Sequence, residues 1–147
     1  MKRLALLLAV ILLLTGCSSS SQKSPPESIL YLGGAAILEE FEIDGGPGAS
    51  NGMSSILIRI PVTLEMEGFH FAVIGITPDG TQDIIYTKND LVPASYLPIG
   101  KEIYGDYAKL TLFMDYSWNG ALMSMRTVNL LTLEEQSSIA KEFINGA

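Results

Sequence analysis

The sequence predicts a mainly β protein: an antiparallel β-sandwich of six to eight strands, or an open barrel, completed by one C-terminal α-helix. Three observations carry this. Apolar and polar residues alternate with a period of two through much of the chain, as in strands half-buried in a sheet. Turn residues, Pro78-Asp79-Gly80 and Asn119-Gly120, interrupt the alternation where hairpins would reverse. Near the end the period lengthens to that of a helix.

The first strand is expected over residues 30–43, followed by a glycine-rich connection over 44–52. Residues 54–67 alternate clearly. Ile56, Ile58, Ile60, Val62, Leu64 and Met66 share one face, while Ser55, Arg59, Thr63, Glu65 and Glu67 share the other. Pro61 cannot donate to a ladder, which places this strand at an edge, bends it or divides it in two. The apolar run 69–77 fits a central strand. Thr77 to Thr81 is a turn, with Pro78 and Gly80 where turn geometry wants them, and 83–87 returns.

Residues 91–105 contain Pro93, Pro98, Gly100 and Gly105 and read as a long loop with room for a short strand. Alternation resumes at 107–116, where Ala108, Leu110, Leu112, Met114 and Tyr116 face Lys109, Thr111 and Asp115. Asn119-Gly120 then reverses the chain into a strand over 121–131. Thr132 with Glu135 forms a capping box, and Ile139, Ala140, Phe143 and Ile144 form a helical stripe before Gly146. These set the expected helix at 133–145, packed on the sheet.

Ahead of the domain lie Lys2-Arg3, an unbroken apolar run from Leu4 to Leu14, and the tetrapeptide Leu14-Thr15-Gly16-Cys17. A positive start, a short apolar run and small residues make an export signal. Eleven apolar residues are too few for a bilayer span, which takes about 20. L-T-G-C resembles the lipobox of bacterial lipoproteins. The resemblance implies cleavage after residue 16, diacylglycerol on the Cys17 sulfur and an acyl chain on its amine. Ser18, rather than Asp, follows the cysteine and resembles the outer-membrane sorting pattern, which would place the protein in the bacterial envelope facing the periplasm. Residues 1–16 are thus the signal, and 17–28, rich in Ser and Pro, a flexible tether. Residues 29–147 form a single domain. The tether would hold it roughly 20 Å from the bilayer.

Composition narrows the partners. Loss of Lys2 and Arg3 takes the net charge from −7 to −9. So acidic a chain suits neither nucleic acid nor anionic headgroups, leaving the lipid as the membrane attachment. With Cys17, the only cysteine, acylated, no disulfide can form, and stability must come from a hydrophobic core.

Chemistry-bearing residues are sparse. His70, the single histidine, is flanked by Phe69 and Phe71 and should point outward if they face the core. No serine sits in a G-x-S-x-G elbow, and one histidine without a free thiol does not make a common zinc set. Asp79, Gly80 and Asp83 lack the spacing of a calcium loop. Glu39, Glu40, Glu42 and Asp44 read as a solvated strand face, and 44–52 lacks the G-K-[ST] of a phosphate loop. The expectation is a non-catalytic protein with no metal or cofactor.

Two loops are the candidate partner-binding surfaces: Trp118 and Asn119 at a hairpin tip, and Tyr96 in the proline-flanked run 92–98. The expected function is a lipid-anchored binding or assembly module that docks another envelope protein. The lipobox, the polar tether and the strand Ile56-Leu57-Ile58-Arg59-Ile60 also resemble the TssJ family of type VI secretion lipoproteins. That resemblance implies a transthyretin-like sandwich and a place in a secretion membrane complex, with no family residue carried over. An inhibitor of a basic hydrolase such as lysozyme is a further alternative, from net charge.

Overall fold

In β3 (Phe69–Ile76), Phe69, Phe71 and Val73 are buried while His70, Ala72 and Ile74 face outward. The same two-residue alternation in β6 (Lys109–Trp118) buries Leu110, Leu112, Met114 and Tyr116. These two strands pair antiparallel from Phe69 opposite Tyr116 to Ile76 opposite Lys109. Flanked by β4 (Gln82–Thr87), β7 (Ala121–Asn129) and β8 (Glu134–Ile139), they form a five-stranded sheet in the order β4-β3-β6-β7-β8. A smaller sheet of β1 (Ile43–Gly45), β2 (Ile56–Arg59) and β5 (Tyr96–Ile99) has the order β1-β2-β5. Every pairing is antiparallel. The computed structural model describes residues 34–139, and it is mainly β with two sheets, consistent with a sandwich.

The core is one cluster that draws Ile56, Ile58 and Ile99 from the small sheet and Phe69, Leu112 and Val128 from the large one. Residues 34–39, helix α1, are helical and lead to Phe41, which stacks on Phe69 at 5.7 Å. Ile37, Leu38 and Phe41 are all buried. A strand had been expected over residues 30–43. The spacing of these three side chains matches one helical face, and the flanking Ala and Glu residues favour helix. Residues 30–33 lie outside the described residues, as do 1–28 with Cys17 and the tether.

The expected strand over 54–67 is shorter than its alternation. β2 ends at Arg59 and lies at the centre of the small sheet, not at an edge. Ile56, Ile58 and Ile60 are buried, but Val62 is 73% exposed. Beyond Pro61 the chain leaves the sheet to reach β3, so period-two apolar residues continue without a ladder to use them. The loop expected over 91–105 contains β5 and a short helix, α2 (Lys101–Tyr104). Pro98 sits on the outer edge of β5, where the Tyr86 hydroxyl donates to its carbonyl at 3.2 Å. An edge residue without an N–H blunts the strand against further pairing.

Residues 134–139 of the expected C-terminal helix are instead strand β8, which pairs with β7 from Asn129 opposite Glu134 to Ser124 opposite Ile139. The Thr132 hydroxyl accepts from the Glu134 N–H in the tight β7–β8 turn, where Leu133 has φ 61°. A positive φ cannot open a helix. Glu135 faces Arg126 across the ladder rather than reaching back to a cap. Residues 140–145 of that helix lie outside the described residues.

Candidate functional site

The small sheet turns one face to the core and the other outward. On its outward face Glu42, Arg59 and Tyr96 stand in one row across three neighbouring stretches of chain. The Arg59 N–H donates to the Glu42 carbonyl at 2.8 Å, and Arg59 is the direct ladder partner of Tyr96. The Arg59 Nη1 donates to Glu42 Oε2 at 3.0 Å. Its hydrogen bond to Glu42, and next that carboxylate's charge, raise the guanidinium above its ordinary value; Tyr96 and Glu40 add to this. The next row holds Asp44, Leu57 and Pro98. An open groove runs beside these rows, lined by Glu40, Glu42, Arg59, Pro61, Val62 and Thr63.

Tyr96 is 60% exposed although it belongs to a regular strand. The loop before it is held rather than loose. Ile60 N–H donates to the Ser95 carbonyl at 2.9 Å, Ala94 N–H to the Pro61 carbonyl at 3.0 Å, and the Ser95 hydroxyl to the Val92 carbonyl at 2.6 Å. These bonds extend the β2–β5 pairing and bring the loop bearing exposed Val92 alongside Pro61, next in sequence to exposed Val62. An exposed tyrosine on a regular strand and an exposed valine lining the groove with two carboxylates, beside a hydrogen-bonded loop, suit recognition better than solvation alone.

Trp118 and Asn119 lie in the large sheet, so the two predicted loops are not parts of one sheet. Trp118 is the last residue of β6, half-buried and directly opposite Ala121. Asn119 (φ 48°) and Gly120 (φ 77°) form the turn, with the paired positive φ values that an Asn-Gly hairpin requires. The hairpin reading of these residues holds, and Trp118 packs as part of the strand end. Sequence reasoning singled out Tyr96 but missed Arg59 and Glu42 as the other members of its row. Only the β1–β2–β5 register reveals the row.

His70 points outward, as its phenylalanine neighbours implied, and its Nδ1 is hydrogen-bonded to Asp115 Oδ1 in the facing strand. The row continues through Met125 to Ser138 on β8, three strands from His70 and on the order of 14 Å away. That separation is too large for Ser138 to pass a proton to the imidazole. The Asp79 carboxylate accepts from the Thr77 hydroxyl and the Thr81 N–H, which makes it a turn residue. Among the described residues no group of three His, Cys, Asp or Glu side chains could hold a metal ion.

No protein-family model, no curated protein and no solved structure matches this chain.

Proposed function

We propose that this protein is a lipid-anchored module of the bacterial envelope that binds another envelope protein through the outward face of its small sheet. One observation carries the reading. Tyr96, on a strand hydrogen-bonded into the sandwich, is 60% exposed and shares a row with Arg59 and Glu42, and Val62, 73% exposed, lines the groove beside them. Large apolar groups held rigidly in water cost little to bury against a partner, because little freedom is lost on binding. Tyrosine is also among the residues that commonly anchor interfaces.

The L-T-G-C tetrapeptide at 14–17 supports the anchor, through lipid on Cys17, and Ser18 supports the outer membrane. Two or three acyl chains hold a protein firmly where one holds it marginally. The module needs no chemistry of its own to position a partner at the membrane. A partner that proves to be a secretion-machine subunit or a hydrolase would specify which module this is.

The test compares wild type with Tyr96→Ala by affinity capture from crosslinked native envelopes. The expected result is a discrete partner lost from the variant, with its melting temperature unchanged. A partner retained equally by both would refute this surface. Cys17→Ala should independently release the protein from the membrane fraction or leave its precursor uncut. Processing and lipid labelling of that variant would refute the anchor.

A further inference from the structure

We infer that the segment this face binds is basic, with a Lys or Arg side chain two or four residues from an apolar one. The inference rests on the small-sheet face being the docking surface and adds the chemistry of what docks there. Three carboxylates, those of Glu40, Glu42 and Asp44, lie on or beside the face, against the single cation Arg59. Arg59 is already paired with Glu42. The Asp44 carboxylate accepts from Gly45 N–H and from the Asn51 amide. The charge left over is negative, and it sits at one side of the row.

The exposed tyrosine sits at the other side. Tyr96 belongs to β5, while Glu42 lies beyond Arg59 at the β1 end. Two strand spacings separate Glu42 from Tyr96, roughly 10 Å. An extended chain crossing the row turns every second side chain toward it, and positions two and four apart, roughly 7 and 13 Å, bracket that distance. An apolar side chain would therefore rest on Tyr96 while a cationic one, two or four positions away, meets Glu40 and Glu42. The net charge of the whole protein, −7, has the same sign as this patch, so the long-range field steers the same class of partner toward it. Anionic lipid and nucleic acid are repelled by that field and are disfavoured occupants.

The test uses the full chain in detergent micelles and two fluorescein-labelled twelve-residue peptides. One carries leucine and lysine two positions apart, with serine between them, repeated along its length. The other has glutamate in place of each lysine. Fluorescence anisotropy should show binding of the lysine peptide, weakening steeply with added salt, and at least tenfold weaker binding of the glutamate peptide. The double variant Glu40→Gln, Glu42→Gln should weaken the lysine peptide about tenfold, and Tyr96→Ala by a similar factor. His70→Ala, on the other sheet, should leave it unchanged. Equal binding of both peptides, absence of binding, or indifference to the double variant would overturn the inference. If Tyr96→Ala still abolished capture of the native partner in that event, the docking surface would stand and only its basic occupant would fall. Circular dichroism of each variant separates lost binding from lost fold.

Discussion

Arg126 on β7 clamps Glu135 on β8 with two bonds, Nε to Oε1 at 2.7 Å and Nη2 to Oε2 at 3.0 Å. Its remaining nitrogen, Nη1, donates to the carbonyls of Leu38 and Phe41 at the end of α1. One guanidinium thus ties β8 and α1 to the large sheet. The planar fork can do this, whereas a lysine ammonium cannot serve both sides at once. We expect Arg126→Ala to lower stability by about 2–3 kcal/mol, since it strands half-buried carbonyls as well as a carboxylate. Arg126→Lys should recover less than half of the loss. Urea unfolding measures both, and an alanine variant within about 0.5 kcal/mol of wild type would contradict the clamp.

Tyr116 is fully buried, and among the described residues neither its hydroxyl nor that of Ser124 has a hydrogen-bond partner. An unmet buried hydroxyl costs about 1–3 kcal/mol. Tyr116→Phe keeps the ring and removes the orphan, so it should be neutral or stabilising by about 1 kcal/mol. Burial, with smaller contributions from the charges of Glu67 and Glu65, raises the phenol above its ordinary value. Ionisation therefore begins in the unfolded chain first, and wild type should lose stability as pH climbs past the ordinary tyrosine range. The phenylalanine variant should lose less there. Thermal melts across that alkaline range give both results.

Gly68 precedes β3 with φ 69°, and its carbonyl accepts from the Ser117 N–H at 2.7 Å. A Cβ at this position would lie 2.0 Å from the Ser117 carbonyl oxygen. Backbone meets backbone, so neither side can yield by changing rotamer. Gly68→Ala should cost about 3 kcal/mol, combining the left-handed penalty with the clash. The melting temperature should fall on the order of 10 °C. A fall of only a degree or two would show that the Trp118 strand end can shift freely.

The Asp79 carboxylate is held below its ordinary value, chiefly by the Thr77 hydroxyl and then by the Thr81 N–H. A depressed carboxylate stabilises the fold above the ordinary aspartate range, and that support is lost as pH falls through the depressed value. Asp79→Asn should flatten this part of the acid profile. NMR titration of the Asp79 carboxyl should place its midpoint below that of an exposed aspartate. A midpoint at the ordinary value would remove the turn from the account.

The sandwich was legible because burial on one face leaves a period-two trace, and β3 and β6 carry it plainly. Pro78-Asp79-Gly80 and Asn119-Gly120 fixed two hairpins, since few residues tolerate the dihedrals those turns need. The ends misled. Thr132 and Glu135 have capping-box spacing, but Glu135 is claimed by Arg126, a partner nine residues away that no local pattern reveals. Ile37, Leu38 and Phe41 fit either a strand or a helix until Phe69 supplies a stacking partner. The row of Glu42, Arg59 and Tyr96 was hidden for the same reason. Its members are far apart in sequence, and register, a tertiary property, brings them together.

The most direct test of the central claim is site-specific photocrosslinking in native envelopes from a benzophenone side chain at position 96, with position 84 as control. Ile84 is 69% exposed and lies on β4 of the large sheet. The account predicts one discrete protein adduct from position 96 and none from position 84. No adduct from 96, or the same adducts from both positions, would contradict it.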